Sequence, residues 1–284
     1  MKHILIHLHL YYLDQADYFI RKLSNISGCR WDLYVTMAER DADTERKFTE
    51  FKPGTEFIIT GNIGYDIWPF ILVIKSVSLD KYDYIVKLHS KGRSIIKAHG
   101  IKLHGYGWRN ALVDSLLGSR KKFLDDMDAF SDQDIGIVSC DLLWLKAVEW
   151  NKEDSWMLDK ELSRIGMTVT DRHFCVGSIF MARAWIYRFL QESDITADMF
   201  PDNPKSHSGG SMAHVYERII SMAPSAYGYK AWTASPSRSM SAYLKINRLI
   251  SPLFRNLLSI NREGPSGAKY IIFLGMKFRL GDRN

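Results

Sequence analysis

The sequence predicts an open, mostly parallel α/β sheet flanked by helices, followed by a short basic tail. Three observations carry this reading. Apolar strand-like runs alternate with helix-period segments at short spacing over residues 3–222. The 284 residues suffice for one large α/β domain with an appendage. The formal net charge of +6 lies wholly at the C-terminus, where Tyr243–Asn284 carries eight Lys/Arg against two Asp/Glu.

The elements follow in order. Residues 3–10 alternate partly and predict a strand. Leu13, Ala16, Phe19, Ile20 and Leu23 recur at helical spacing, predicting a helix over 13–25. Trp31–Met37 and Phe57–Thr60 predict strands, the second after the Pro53-Gly54 turn. Ile67–Val77 predicts a helix and Tyr84–Leu88 a fourth strand. Helices are expected over 111–117, 121–130, 157–165, 185–191 and 212–222, and strands over 135–139 and 178–182. Residues 201–211, rich in Pro, Gly, Ser and Asn, predict a loop. The domain is expected to end near residue 241, with the tail over 242–284.

Composition narrows the function classes. Hydrophobic residues at 46% and charged residues at 25% are ordinary for a folded protein and argue against disorder. Basic residues confined to the tail do not fit a nucleic-acid binder, which spreads them over a folded face. Cys29, Cys140 and Cys175 are odd in number and far apart, so a reducing compartment is expected, with no disulfide framework. No leader segment is read at the N-terminus, and no run reaches the ~18–20 apolar residues of a membrane span.

In open α/β sheets ligands bind beyond the carboxyl ends of the strands. Four segments there attract attention. Asn62-Ile-Gly-Tyr-Asp66-Ile67 follows the third strand, and Asp66 suits either a ligand or the cap of the next helix. Lys87-Leu-His89-Ser-Lys91-Gly-Arg93-Ser94 leaves the fourth strand with cations, hydroxyls and a Gly, the donors a diphosphate requires. In Asp171–Met181, Gly177-Ser178 permits close backbone approach by a ligand. On the helix after Ser211, His214, Glu217 and Arg218 share a face, so an arginine can hold a carboxylate ionised as a general base. His7, His9, His99 and His104 have no carboxylate at ligand spacing, and the Asp-x-Asp strings at 41/43, 126/128 and 132/134 do not directly end strands. No metal site is expected.

Seven short strings in register strengthen these assignments. They are His7-Leu-His-Leu-Tyr-Tyr12, Asp32-Leu-Tyr-Val-Thr36, Asn62 to Phe70, Tyr82 to Lys91, Gly107-Trp108-Arg109, Gly177-Ser178-Ile-Phe180 and Ala213-His-Val-Tyr-Glu-Arg218. Together they resemble the rhamnan synthesis protein F family of bacterial polysaccharide glycosyltransferases. The resemblance implies a GT-A-like fold. It implies transfer of a sugar, often rhamnose from dTDP-rhamnose or another nucleotide diphosphate sugar, onto a growing lipid-linked glycan such as lipopolysaccharide. The usual acidic metal-binding position is filled by His89-Ser90-Lys91, so an inverting reaction without a required divalent cation is expected, a cation holding the departing diphosphate.

The implied donor site comprises Tyr11, Thr36, Asn62, Asp66, His89, Lys91 and Arg93. Trp108, Arg109, Gly177, Ser178 and Arg218 are expected to serve the acceptor or support the site. The resemblance also leads to an acidic residue shortly before the Ala-His-x-x-Glu-Arg string, where this chain has Gly209-Gly210-Ser211. The base is therefore expected in Glu217 first, then Asp171, with His214 beside them. A non-catalytic nucleotide-sugar or glycan-binding module is the competing reading. The tail alternates apolar clusters with Lys and Arg, which predicts peripheral contact with the inner face of the bacterial cytoplasmic membrane or with a partner.

Overall fold

The computed structural model describes residues 1–147, 153–200 and 211–246, and three strands beyond them within 258–279. The chain forms two units, Met1–Pro236 and Ser237–Asn284.

The first unit is built on a seven-stranded sheet. Its strands are β1 (His3–His9), β2 (Arg30–Met37), β3 (Glu56–Ile59), β4 (Tyr84–His89), β7 (Ile135–Cys140), β10 (Phe180–Arg183) and β11 (Lys230–Ala234), in the order β11-β7-β10-β4-β1-β2-β3. β1 pairs in parallel with β2 and β4, β2 with β3, and β7 with β11. Only β10 runs against its neighbours β4 and β7. The mostly parallel sheet flanked by helices is therefore the fold class expected. Two hairpins stand apart from it, β5 (Ser94–Ala98) with β6 (Ile101–Gly105), and β8 (Trp144–Lys146) with β9 (His173–Cys175).

This strand order sets the place for a ligand. From β1 the chain moves outward through β2 and β3, then returns on the other side of β1 as β4. The switch lies between β1 and β4, where His9 pairs with His89. Both strands are buried on both faces, as central parallel strands are, so Ile4, Leu5, Ile6, Leu8, Ile85, Val86 and Leu88 are fully enclosed.

The helix α3 (Ile67–Ser76) shows why its sequence is apolar nearly all round. Ile67, Pro69, Phe70, Ile71, Val73 and Ile74 are all buried. Pro69 sits in the first turn, where a missing N–H costs no intrahelical bond. Burying a ring such as Phe70, enclosed against Phe180 and Tyr187, stabilises by about 1.5–3 kcal/mol. α3 thus fixes the turn that precedes it.

The second unit contains a helix over 238–246 and a three-stranded antiparallel sheet, β12 (Leu258–Glu263), β13 (Ala268–Phe273) and β14 (Met276–Arg279). The tail expected over 242–284 falls within this unit, and part of its backbone forms these paired strands. Among the described residues no helix is long and apolar enough to cross a membrane. The loop expected at 201–211 lies outside the described residues up to 210, as do Gly209 and Gly210.

Candidate active site

The site begins with a lysine where none is cheap. Lys87 lies in the middle of β4 and is fully buried. A buried ammonium requires a charged partner and hydrogen bonds. Lys87 pairs with the Asp66 carboxylate and donates to Ser178 Oγ at 2.8 Å and to the Ser178 carbonyl at 3.2 Å. Ser178 Oγ in turn donates to Asp66 Oδ2 at 2.5 Å. Asp66 occupies the cap position of α3, yet its side chain makes no cap bond. Its Oδ2 is engaged by Lys87 and Ser178 instead, in a Lys87–Ser178–Asp66 triad.

Burial acts to raise the Asp66 carboxyl. The facing His89, Lys87 and Lys91 and the hydrogen bond from Lys87 outweigh it and hold the group well below the usual carboxylate range. His89 lies against the same carboxylate, its Nδ1 at 3.6 Å from Asp66 Oδ1. Its Nε2 donates to the Gly177 carbonyl at 2.7 Å. Burial, with Lys91 and Lys87 nearby, keeps His89 well below the ordinary histidine range despite the pull of Asp66.

Two left-handed turns frame this triad. Gly64 (φ 61°) and Tyr65 (φ 55°) precede Asp66, and Gly177 (φ 100°) and Ser178 (φ 46°) precede β10. Left-handed non-glycine residues store strain and cluster at functional sites. Gly177 also lies close beneath two side chains, which would have to shift to admit a larger residue. A Cβ there would lie 2.8 Å from Lys91 Cε and 2.8 Å from Leu112 Cδ1.

Lys91 therefore runs across the Gly177 backbone. Its ammonium stands 4.0 Å from the centre of the Trp108 ring, and Trp108 Nε1 donates to the Val176 carbonyl at 3.2 Å. Gly177 N–H donates to Glu217 Oε1 at 2.8 Å. One short backbone segment thus joins Lys91, Glu217, His89 and Ser178. Burial lowers the Lys91 ammonium, while Asp66 and Glu217 pull the other way. An added anion would favour its charged form further.

The neighbouring loop is tied in from β1. Ser90 N–H donates to the His9 carbonyl at 2.9 Å, Tyr12 N–H to Ser90 Oγ at 2.9 Å, and Gln15 Nε2 to the Lys91 carbonyl at 2.8 Å. The Tyr12 hydroxyl closes on Gly92, where a Cβ would come within 2.6 Å of it. Tyr11 is exposed at this rim, Arg93 is exposed and lies 5.3 Å from the Tyr106 ring centre, and Asn62 is half-buried.

Four other expected site residues are placed as follows. Thr36 is fully buried, its hydroxyl shared between His7 Nε2 and His9 Nδ1 at 2.9 Å each. His214 is in the first turn of the helix Met212–Ala226, 2.8 Å from the capping Ser211 Oγ and with its ring 6.1 Å from Tyr65. Arg218 is buried, donates to the His214 carbonyl at 2.7 Å and lies over Phe174. Arg109 is packed between the Tyr18 and Tyr106 rings and bonds Asn110.

Asp171 is not brought to this group. It accepts from His173 Nδ1 at 2.5 Å, and its N–H donates to Ser225 Oγ at 3.2 Å. Ser225 stands two helical turns beyond Glu217, about 12 Å along the axis. Lys87 opens the segment Lys87–Ser94 but is not among the donor-site residues expected from the sequence. Its signal was a lysine inside the apolar run Tyr84-Ile-Val-Lys-Leu-His89. Among the described residues no group of three or more His, Cys, Asp and Glu could hold a metal ion.

The family model for rhamnan synthesis protein F matches residues 1–232. The chain belongs to the rhamnan synthesis protein F family. The match ends inside β11 and so covers nearly all of the first unit. No curated protein sequence matches the chain.

Among solved structures, the chain is similar to TarS residues 1–349 of S. aureus at 14% identity, covering 90% of this chain and 66% of that one, with a TM-score of 0.42. It is similar to the mannosyltransferase PcManGT of Pyrobaculum calidifontis at 10% identity, covering 86% of this chain and 60% of that one, also with a TM-score of 0.42. Glucosyl-3-phosphoglycerate synthase of Mycobacterium tuberculosis matches at 12% identity, over 98% of this chain and 86% of that one, with a TM-score of 0.36. This family member therefore spans two thirds or less of the first two chains.

The histidines beneath the cleft give a pH dependence of stability. Burial holds His9 down at about 4 and His7 well below the ordinary histidine range. In the unfolded chain both titrate near 6.5. The unfolded state thus binds more protons below that pH, and stability falls as pH drops from about 6.5 towards 4. His9 alone contributes about 3 kcal/mol to that loss, on the order of 1.4 kcal/mol for each pH unit. Denaturant midpoints at pH 7 and pH 4.5 check it: a clearly lower midpoint at pH 4.5 is expected, and equal midpoints would contradict the burial of neutral imidazoles.

Proposed function

We propose that the chain is a glycosyltransferase that moves rhamnose or a related sugar from a nucleotide diphosphate donor, such as dTDP-rhamnose, to a growing lipid-linked precursor of a cell-surface polysaccharide. The reading rests on family membership and on one observation: Gly177 lies against Lys91 and donates its N–H to Glu217. A cation for a leaving diphosphate and a carboxylate for an acceptor proton thus share one backbone segment at the switch point of the sheet.

In this mechanism the donor diphosphate lies along Lys91, with Arg93 at the rim. Asp66, held ionised, accepts from a donor hydroxyl. Glu217 takes the proton of the acceptor hydroxyl as its oxygen attacks the anomeric carbon. The bond from that carbon to the diphosphate oxygen breaks, and the nucleoside diphosphate leaves with the electron pair. Attack opposite the leaving group inverts the centre. The positive charge of Lys91 grows in worth as the leaving oxygen becomes an anion.

His89-Ser90-Lys91 supplies no carboxylate at the end of β4. Turnover is therefore expected to persist in excess EDTA, measured as nucleoside diphosphate release with a lipid-linked acceptor. Loss of turnover restored by Mn²⁺ would refute the metal-independent step. The protein is placed at the inner face of the cytoplasmic membrane in this reading, where a lipid-linked acceptor would be presented.

A further inference from the structure

We propose that the β5–β6 hairpin is a docking element for an anionic phospholipid surface. The segment from Tyr84 to Val113 has no Asp or Glu, yet it carries Lys87, Lys91, Arg93, Lys97, Lys102 and Arg109. Lys87 and Lys91 belong to the cleft and Arg109 is enclosed by tyrosines. Arg93 lies against the Tyr106 ring, which leaves Lys97 and Lys102 with no such use.

The register puts them on one face. Lys97 pairs with Lys102 and Ile95 with His104. These four side chains are exposed, Ile95 at 63%, while Ile96 and Ala98 on the other face are buried. Like charges directly opposite each other across a strand pair destabilise it. Among the described residues neither Lys97 nor Lys102 has an ion pair to relieve this. The turn is a two-residue one, with His99 at φ 48° and Gly100 at φ 79°, which matches the twist of the strands and holds the face preformed.

The occupant follows from the composition of that face. An unrelieved pair of ammonium groups seeks anions. A soluble phosphate would leave Ile95 in water. A bilayer interface takes both, the lysines at the headgroups and the isoleucine at the acyl boundary. The hairpin follows directly on Lys91-Gly92-Arg93, so docking there brings the carboxyl edge of the sheet to the lipid. The binding does not depend on the proposed reaction, and it is separate from any contact made by residues after 236.

Co-sedimentation of the full chain with vesicles tests it. Binding to phosphatidylglycerol–phosphatidylcholine vesicles, and not to phosphatidylcholine alone, is expected. Each basic residue near such a surface contributes about fivefold, so Lys97→Glu with Lys102→Glu weakens partition by about thirtyfold or more. Ile95→Ser weakens it less, by a factor that salt does not change. All these positions are exposed, so unchanged melting temperatures confirm that the variants fold. Binding of the charge-reversed chain equal to wild type overturns the proposal, as does a wild-type chain that ignores anionic vesicles. Release from vesicles by millimolar inorganic pyrophosphate, mirrored by direct pyrophosphate binding that the charge reversal abolishes, would assign the face to a soluble anion and overturn it too.

Discussion

Lys87→Met is expected to destabilise the protein by about 3–5 kcal/mol, because it leaves the Asp66 carboxylate buried without its partner. Asp66→Asn should cost a comparable amount by stranding the ammonium of Lys87, which is fully buried inside β4. Ser178 bonds both groups, so the triad is one unit. Replacing Lys87 and Asp66 together removes both charges. The double variant is therefore expected to lose clearly less than the sum of the two single losses. Guanidinium melts of the four proteins measure this coupling. Additive losses would show that the two charges do not compensate each other, and the electrostatic account of the site floor would fail.

Glu217→Gln should lower kcat by about 10²- to 10⁴-fold, the range that general-base catalysis contributes. The amide still accepts from the Gly177 N–H through its oxygen, so the Gly177 turn and the melting temperature should hold. A fall in rate without a fall in stability separates chemistry from folding. Asp171→Asn should affect rate far less, since that carboxylate faces His173 near the other end of the helix. Single-turnover rates of both variants decide between the two carboxylates. Normal turnover in Glu217→Gln would remove it as the base.

Much of the framework was legible because periodicity and position agreed. The edge strand ending at Ile59 was marked by the Pro53-Gly54 turn before it, while the strands ending at His9 and His89 appear as short apolar runs because they are parallel strands buried on both faces. The helix Ile67–Ser76 was visible for the same reason. Asp66 was ambiguous, since an acidic residue before a helix is usually a cap; only the third dimension brings Lys87 and Ser178 to it.

The β5–β6 hairpin escaped notice because its lysines masked the alternation Ser94-Ile-Ile-Lys-Ala98, although His99-Gly100 was a turn signal. The β8–β9 pair and β11 were missed because they are short and mix Lys, His or Trp with few aliphatic residues, unlike the apolar Phe57–Thr60. Glu217 and Arg218, adjacent on one helix, part company in space. Glu217 meets Gly177 and Arg218 meets Phe174, a separation that helical spacing alone does not reveal.

The most direct test is calorimetric titration of a nucleoside diphosphate, with EDTA present, into the wild-type chain and into Lys91→Met. Methionine keeps most of the stem that packs on Trp108 and Gly177 while removing the charge. A charge-assisted hydrogen bond contributes about 1.5–3 kcal/mol, so affinity should fall about 10- to 150-fold with little change in melting temperature. Equal affinity in the two proteins would contradict a diphosphate site at Lys91.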